Sequence, residues 1–280
     1  MMEISKEKKE KKKRIVPIWV CILIFIGAFF AGMISKVAIK PAWSTKYTAT
    51  WSEELGTKIT DISYGDGEAN KFDLYLPKDS TKDTYGLVIY LHAGGFTSGD
   101  KTDDENMLAW LCSKGYVAAG INYTLRTDTN NASVLLQSNE IKEAIPIVVE
   151  EAKNRGYNID KMTVSGGSAG HALAMIYAYR DAQDAPVPVV FTFGAVGPSC
   201  FYVEDWGVYP IPTVVEYGTC DKVQPFLASL RLKEALEDNG VDYKYYELPH
   251  SGHGLQNDDR ISEQWMESID EYLNKYMPVN

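Results

Sequence analysis

Short apolar runs typical of β-strands alternate with longer, helix-like segments along most of the chain. The runs at 58–63 and 71–76 flank a glycine-containing turn at 64–67, which predicts an antiparallel hairpin. Further strands are predicted at 87–91, 116–123, 162–165, 187–193, 212–217 and 242–248. Helices are predicted at 107–114, 139–155, from the end of strand 162–165 to about 181, at 225–238 and at 261–276. This alternation predicts an α/β fold with a mostly parallel central sheet and helices on both faces.

The N-terminal part of the chain has a different pattern. Residues 15–34 contain no charged or strongly polar side chain, and as a helix they would span ~30 Å, the thickness of a bilayer's hydrocarbon core. We therefore expect a transmembrane signal-anchor helix at 15–35, because a buried core helix or the apolar part of a cleaved signal peptide is usually shorter. The seven basic residues in 1–14 predict a cytoplasmic tail and a single-pass membrane protein whose body lies outside the cytoplasm. Residues 36–56 are expected to form a linker, and 57–280 the catalytic domain.

Composition and charge narrow the range of partners. With 45% hydrophobic and 24% charged residues the chain is typical of a globular protein. The net charge is −10, and the tail at 1–14 carries +4, which leaves −14 on the rest. So acidic a body argues against a nucleic-acid partner. The chain has no phosphate-binding loop, no dinucleotide motif, no H-E-x-x-H and no paired C-x-x-C, so neither a cofactor nor a metal is expected.

The sequence GGSAG at 166–170 lies between a predicted strand and a predicted helix. Glycine lies two residues before and two residues after Ser168. It would allow a sharp turn there, because larger side chains at these two positions would collide with the strand and the helix. Such a turn would hold the serine hydroxyl in an exposed, strained position. We therefore expect Ser168 to be a nucleophile.

A serine nucleophile needs a base, and the base needs a carboxylate. The sequence PHSGHG at 249–254 follows the last predicted strand and contains His250 and His253. We favour His253, because flanking glycines would let the loop reach the serine, and keep His250 as the alternative. Asp221 ends the turn after strand 212–217 and is the expected acid. It could instead cap the next helix, in which case Asp205 or Glu204 would replace it.

The oxyanion that forms during acyl transfer needs N–H donors. One is expected to be the amide of Ala169, directly after the nucleophile. The others are expected from Gly94 and Gly95, in the sequence HAGGF that follows the strand at 87–91. His92 in the same sequence is expected to be a packed, hydrogen-bonded residue rather than a catalyst.

Four motifs, HAGGF, GGSAG, GTCD and HSGHG, occur in order, and together they resemble the α/β-hydrolase superfamily. The resemblance is to the esterase and lipase branch with an HGGG-type oxyanion loop, which includes hormone-sensitive-lipase-like and acetyl-esterase-like enzymes. It covers roughly 59–276. It implies an eight-stranded type of sheet, a triad of Ser168, Asp221 and His253, and oxyanion donors at Gly94, Gly95 and Ala169.

This sequence departs from the family pattern at three positions, where Ala93 replaces a glycine, Gly167 precedes the serine and His171 stands where many relatives have glycine. The stretch 197–209 is the only insertion-like segment between the core strands there, so any cap over the site is expected to be small or absent. We therefore expect a carboxylesterase that cleaves short-chain acyl esters, acetyl esters among them, of a small molecule or carbohydrate. A serine peptidase on the same fold and a non-catalytic, membrane-tethered binding module are the alternatives. Cys200 and Cys220 follow successive strands and could form a disulfide.

Overall fold

The structure, a computed structural model, describes residues 17–38, 41–197 and 211–279. It divides into two compact units, Met1–Pro41 and Ala42–Asn280. The second unit begins inside the segment 36–56 that was expected to be a linker. The tail at 1–14, Cys200, Glu204, Asp205 and all of the expected cap segment except Gly197 lie outside the described residues.

The first unit contains helix α1, Ile18–Ala38. Within the described residues, no helix combines the length and apolarity needed to cross a membrane. The prediction of a transmembrane helix at 15–35 is therefore wrong, and so is the membrane localisation that was drawn from it.

The second unit is built on an eight-stranded sheet in the order β1-β2-β4-β3-β5-β6-β7-β8. Strand β2 pairs antiparallel with β1 and β4, whereas the pairs from β4 through β3 to β8 are parallel. The strands are β1 Gly56–Ser63, β2 Lys71–Pro77, β3 Tyr85–Leu91, β4 Val117–Ile121, β5 Ile159–Gly167, β6 Val189–Ala195, β7 Thr213–Gly218 and β8 Tyr243–Leu248. The predicted hairpin, the predicted strands and the mostly parallel sheet are confirmed.

Helices cover both faces of the sheet, as predicted. They are α2 Glu105–Ser113, α3 Val134–Asn154, α4 Ala169–Ile176, α5 Phe226–Asp238 and α6 Asp259–Tyr276. Alternate residues of β3 point to opposite faces, so Leu87 and Ile89 join a core with α3, α4 and α5, while Val88 and Tyr90 join a core with α2 and α6. The sheet is thus buried between two helical layers.

The main differences from the predicted elements lie at their ends. Helix α3 begins at Val134, five residues before the predicted start, because Ser133 caps it by accepting a hydrogen bond from the N–H of Leu136 at 3.1 Å. Upstream of β1, residues 42–47 form a 3₁₀ helix, and Trp43 and Trp51 pack on the core beneath α2 and α6. These residues are part of the folded unit.

Candidate active site

Ser168 lies between the end of β5 and the start of α4. Its backbone has φ 49° and ψ −113°, a conformation with positive φ that residues other than glycine rarely adopt. Two hydrogen bonds hold it there. The N–H of Ser168 donates to the carbonyl of Ala195 at 2.9 Å, and the N–H of Ala172 donates to the carbonyl of Ser168 at 3.0 Å. The strained turn expected from GGSAG is confirmed.

Two of the three glycines in this motif are required by close packing. A Cβ at Gly166 would lie 2.6 Å from the carbonyl oxygen of Leu91, and a Cβ at Gly170 would lie 2.0 Å from that same oxygen. A Cβ at Gly167 would instead lie 3.7 Å from Tyr90 Oη, which is an ordinary contact distance. Gly166 and Gly170 therefore let the serine turn pack against the end of β3, while Gly167 leaves open space.

The structure brings the three expected triad residues together. Ser168 Oγ–H donates to His253 Nε2 at 2.8 Å, and His253 Nδ1–H donates to Asp221 Oδ2 at 2.8 Å. Asp221 is 2% exposed, and its other oxygen accepts the N–H groups of Val223 and Gln224 at 2.7 and 2.9 Å. Asp221 is thus fixed by the turn that follows it, and it fixes the tautomer of His253 in which Nε2 can accept a proton.

The alternative base, His250, points elsewhere. Its side chain is 76% exposed, and its Nδ1 contacts Asp258 Oδ1 at 2.8 Å. The other oxygen of Asp258 accepts the N–H of His250 at 3.0 Å and the hydroxyl of Ser251 at 2.7 Å. These bonds lower the pKa of Asp258, although burial opposes them as the largest single effect. Asp258 thus ties down the loop that carries His253.

The peptide units after β3 are oriented by their carbonyls. The carbonyl of Ala93 accepts His92 Nδ1–H at 2.7 Å, and the carbonyl of Gly94 accepts the N–H of Ser98 at 3.0 Å. Because the N–H of a trans peptide points opposite to its C=O, the N–H groups of Gly94 and Gly95 point away from these partners. Neither N–H donates a hydrogen bond within the described residues. Gly94 has φ +124°, and a Cβ there would lie 1.9 Å from the carbonyl oxygen of Ser98.

The N–H of Ala169 can donate a hydrogen bond to a bound substrate for a different reason. Ala169 is the first residue of α4, and N–H groups in the first turn of a helix have no acceptor within the helix. Gly170 brings this helix end against the carbonyls of Leu91 and His92. The free N–H groups of Gly94, Gly95 and Ala169 therefore lie on two segments that meet beside Ser168.

His92 supports this loop, as expected of a packed residue. Its ring is 2% exposed and stacks on Tyr123 with 4.4 Å between ring centroids. Burial lowers the pKa of His92, so the ring stays neutral at pH 7. Tyr123 Oη–H donates to the carbonyl of His92 at 3.0 Å. The start of the loop is therefore held by a stacked and hydrogen-bonded pair.

A cleft of about 400 Å³ opens at Ser168. Its lining consists mainly of glycine and small apolar side chains: Ala93, Gly94, Gly95, Gly167, Ser168, Val196, Val223 and His253. Cys220, next to Asp221, is a free thiol. Its suggested disulfide partner, Cys200, lies outside the described residues. Among the described residues no group of side chains is suited to hold a metal ion.

Sequence reasoning missed three residues that shape the site. Asp258 holds the histidine loop, and Val196 forms a wall of the cleft. Gln137, fully buried in α3, donates from Nε2 to the carbonyl of Phe96 at 3.0 Å and to that of Thr124 at 2.8 Å, which ties the loop after β3 to a neighbouring loop. A buried glutamine near a helix start is a weak sequence signal. The role of Val196 depends on a backbone conformation that its residue type does not predict.

Parts of the chain are similar to known proteins. The BD-FAE family model matches residues 72–192. Kynurenine formamidase from Salmo salar is 28% identical over 137 residues, which are 49% of this chain and 44% of that protein. The chain therefore matches less than half the length of this curated relative.

Solved structures are similar over most of the chain. Esterase B from Lactobacillus rhamnosis, inhibited by a tributyrin phosphonate, superposes with a TM-score of 0.61 at 18% identity, covering 91% of this chain and 96% of that one. Propionate-bound esterase 2 from Thermogutta terrifontis superposes with a TM-score of 0.65 at 19% identity, covering 81% of this chain and 97% of that one. With its sheet order and its strand-turn-helix at Ser168, the chain has the α/β-hydrolase fold.

Proposed function

We propose that the protein is a serine hydrolase that cleaves short-chain carboxylic esters. The observation that carries this proposal is the continuous hydrogen-bond chain from Ser168 through His253 to Asp221, at 2.8 Å for each bond, which opens on a cleft. A serine hydroxyl becomes a strong nucleophile only when such a base accepts its proton, and both partners are already in place.

In the first half of the reaction, Ser168 Oγ attacks the ester carbonyl while His253 Nε2 takes the hydroxyl proton. The resulting oxyanion is stabilised by the N–H groups of Gly94, Gly95 and Ala169, and removal of one such donor typically costs about 3 kcal/mol. His253 then gives the proton to the leaving alcohol oxygen as the C–O bond breaks. Asp221 remains ionised and stabilises the imidazolium.

In the second half, water attacks the acyl-enzyme. His253 accepts a proton from the water and returns it to Ser168 as the acid is released. The cycle therefore consumes one ester and one water and yields one acid and one alcohol, with no cofactor.

The preference for short acyl groups is supported by the size of the site. The cleft is about 400 Å³ in volume and is lined by small residues. The similar structures of esterase B and esterase 2 carry, respectively, a tributyrin phosphonate and propionate, both derived from short acyl chains. Small esters and acetylated carbohydrates are the substrates to test first.

A second candidate reaction is hydrolysis of a formamide. It is favoured by the 28% identity to kynurenine formamidase over 137 residues. The same triad would transfer a formyl group, the smallest acyl group, from nitrogen instead of oxygen. The two candidates therefore differ in the leaving group and not in the machinery.

A substrate panel separates these possibilities. We would measure kcat/KM for p-nitrophenyl esters from acetate to octanoate, an acetylated oligosaccharide, N-formylkynurenine and a peptide. The proposal predicts the highest kcat/KM on esters with acyl groups of about four carbons or fewer. A highest value on N-formylkynurenine would favour the formamidase, and a highest value on the peptide would favour a peptidase. No turnover of any substrate by folded protein would refute the proposed function.

A further inference from the structure

His171, one of the departures from the family pattern, is completely buried beneath the serine turn. Its Nδ1 accepts the N–H of Gly197 at 3.0 Å. The ring also presses on two glycines of the neighbouring strand end. A Cβ at Gly194 would lie 2.3 Å from His171 Cδ2, and a Cβ at Gly197 would lie 2.6 Å from its Nδ1. The segment at 194–197 is thus shaped around this ring.

Burial determines the charge of the His171 ring, and the hydrogen bond to Gly197 determines its tautomer. Burial lowers the pKa of His171 to about 3, so the side chain is neutral at pH 7. Since Nδ1 is the acceptor, the proton lies on Nε2, which has no partner among the described residues. An apolar side chain would fill the space without burying an unpaired N–H. The bond to Gly197 is therefore what a histidine supplies here.

Val196, the residue between these contacts and the cleft, has an unfavourable backbone. Its φ is +47°, which is rare for a β-branched residue and marks local strain. The N–H of Val196 donates to the carbonyl of Glu216 at 3.0 Å, and the next N–H, that of Gly197, donates to His171. These two bonds hold the turn in which Val196 lines the cleft beside Gly167 and Ser168.

We propose that His171 is a positioning residue that acts through Gly197 to hold Val196 as a wall limiting the size of the substrate group bound against it. This inference rests on the proposed ester hydrolysis, because the wall matters for the substrate at Ser168. Without the bond, the N–H of Gly197 is left unpaired and the Val196 turn relaxes toward an ordinary conformation. The cleft then accepts a larger group.

Three variants separate the hydrogen bond from the volume of the ring. His171→Phe keeps an aromatic ring but removes the acceptor, whereas in His171→Asn the amide oxygen stands in for Nδ1 and preserves it. Val196→Gly removes the wall and suits a left-handed φ. Size preference is measured as the ratio of kcat/KM for small and large members of two ester series, one varied in the acyl group and the other in the alcohol.

The expected result follows from how a pocket discriminates by size. One methylene in an apolar pocket is worth about tenfold or more in kcat/KM. We expect His171→Phe and Val196→Gly each to relax the size preference in one series by about tenfold, and His171→Asn to retain the wild-type preference. In the double variant of His171→Phe with Val196→Gly, the first substitution should add nothing to the second, because both act on one wall.

Amide exchange tests the hydrogen bond between Gly197 and His171 without a catalytic assay. Exchange of the Gly197 amide proton, followed by NMR, should be faster in His171→Phe than in wild type and remain slow in His171→Asn. The inference is overturned if His171→Phe leaves size preference in both series and amide exchange unchanged, if His171→Asn behaves like His171→Phe, or if the two effects add. Labelling of wild-type Ser168 by a small fluorophosphonate distinguishes this failure from a failure of the proposed function. A labelled enzyme with unchanged size preference contradicts only the role of His171.

Discussion

Glu216 offers a quantitative test of the structure, because it is a buried acid with little compensation. Its side chain on β7 is 3% exposed, and one oxygen accepts the hydroxyl of Ser262 at 3.0 Å. Burial raises the pKa of Glu216 from 4.5 to about 8. The folded protein therefore keeps this carboxyl protonated at pH 7, whereas the unfolded chain ionises it.

The sign and size of the effect follow from proton linkage. Between pH 4.5 and about 8 the folded state binds a proton that the unfolded chain releases, so stability falls as the pH rises through this window. Each pH unit is worth about 1.4 kcal/mol, which gives a loss of roughly 5 kcal/mol across the window. Below pH 4.5 both states are protonated, and the contribution is fully present.

The perturbation is Glu216→Gln, which keeps the shape and the Ser262 bond but cannot ionise. We expect the free energy of unfolding of the variant, minus that of wild type, to rise by about 1.4 kcal/mol per pH unit from pH 5 to pH 8. Urea unfolding of the full chain at several pH values measures this difference. Glu68→Gln, at an exposed glutamate, is the matched control. A difference that does not change with pH would refute the reasoning.

Two further predictions concern the site itself. Asp221→Asn can keep the hydrogen bonds to the loop N–H groups but cannot hold the reactive His253 tautomer. The kcat for p-nitrophenyl acetate should therefore fall by about 10⁴-fold, while the urea midpoint stays near that of wild type. A near-normal kcat would contradict the proposed role of Asp221. Gly170→Ala, whose Cβ would lie 2.0 Å from the carbonyl oxygen of Leu91, should lose about 3 kcal/mol or more of stability, whereas Gly167→Ala should unfold at the wild-type urea concentration. Equal midpoints for these two variants would show that the serine turn is looser than the structure indicates.

Much of the fold could be predicted because local pattern and burial agree in the sheet. The run at 87–91 is apolar throughout since successive residues of β3 enter two different cores. The start of α3 was missed because Leu135 and Leu136 in its first turn are exposed and do not follow the apolar face.

The residues proposed as the triad could be nominated from sequence because each follows a strand and has a short motif around it. Their geometry could not, because Ser168 and His253 are 85 residues apart and meet only through the strand order. Val196 and Asp258 were missed since their roles arise from a left-handed turn and from a loop folding back on itself. His171 could be flagged as unusual, but its hydrogen bond to Gly197 is visible only in the structure.

The central claim, that Ser168 is the activated nucleophile, is tested most directly by covalent labelling. The full chain is incubated with a fluorophosphonate, and the modified peptide is identified by mass spectrometry. We predict one adduct, on Ser168, in wild type and in the control variant Ser113→Ala, whose serine lies at the end of α2. Ser168→Ala should not be labelled. An adduct on another residue, or undiminished labelling of Ser168→Ala, would contradict the account.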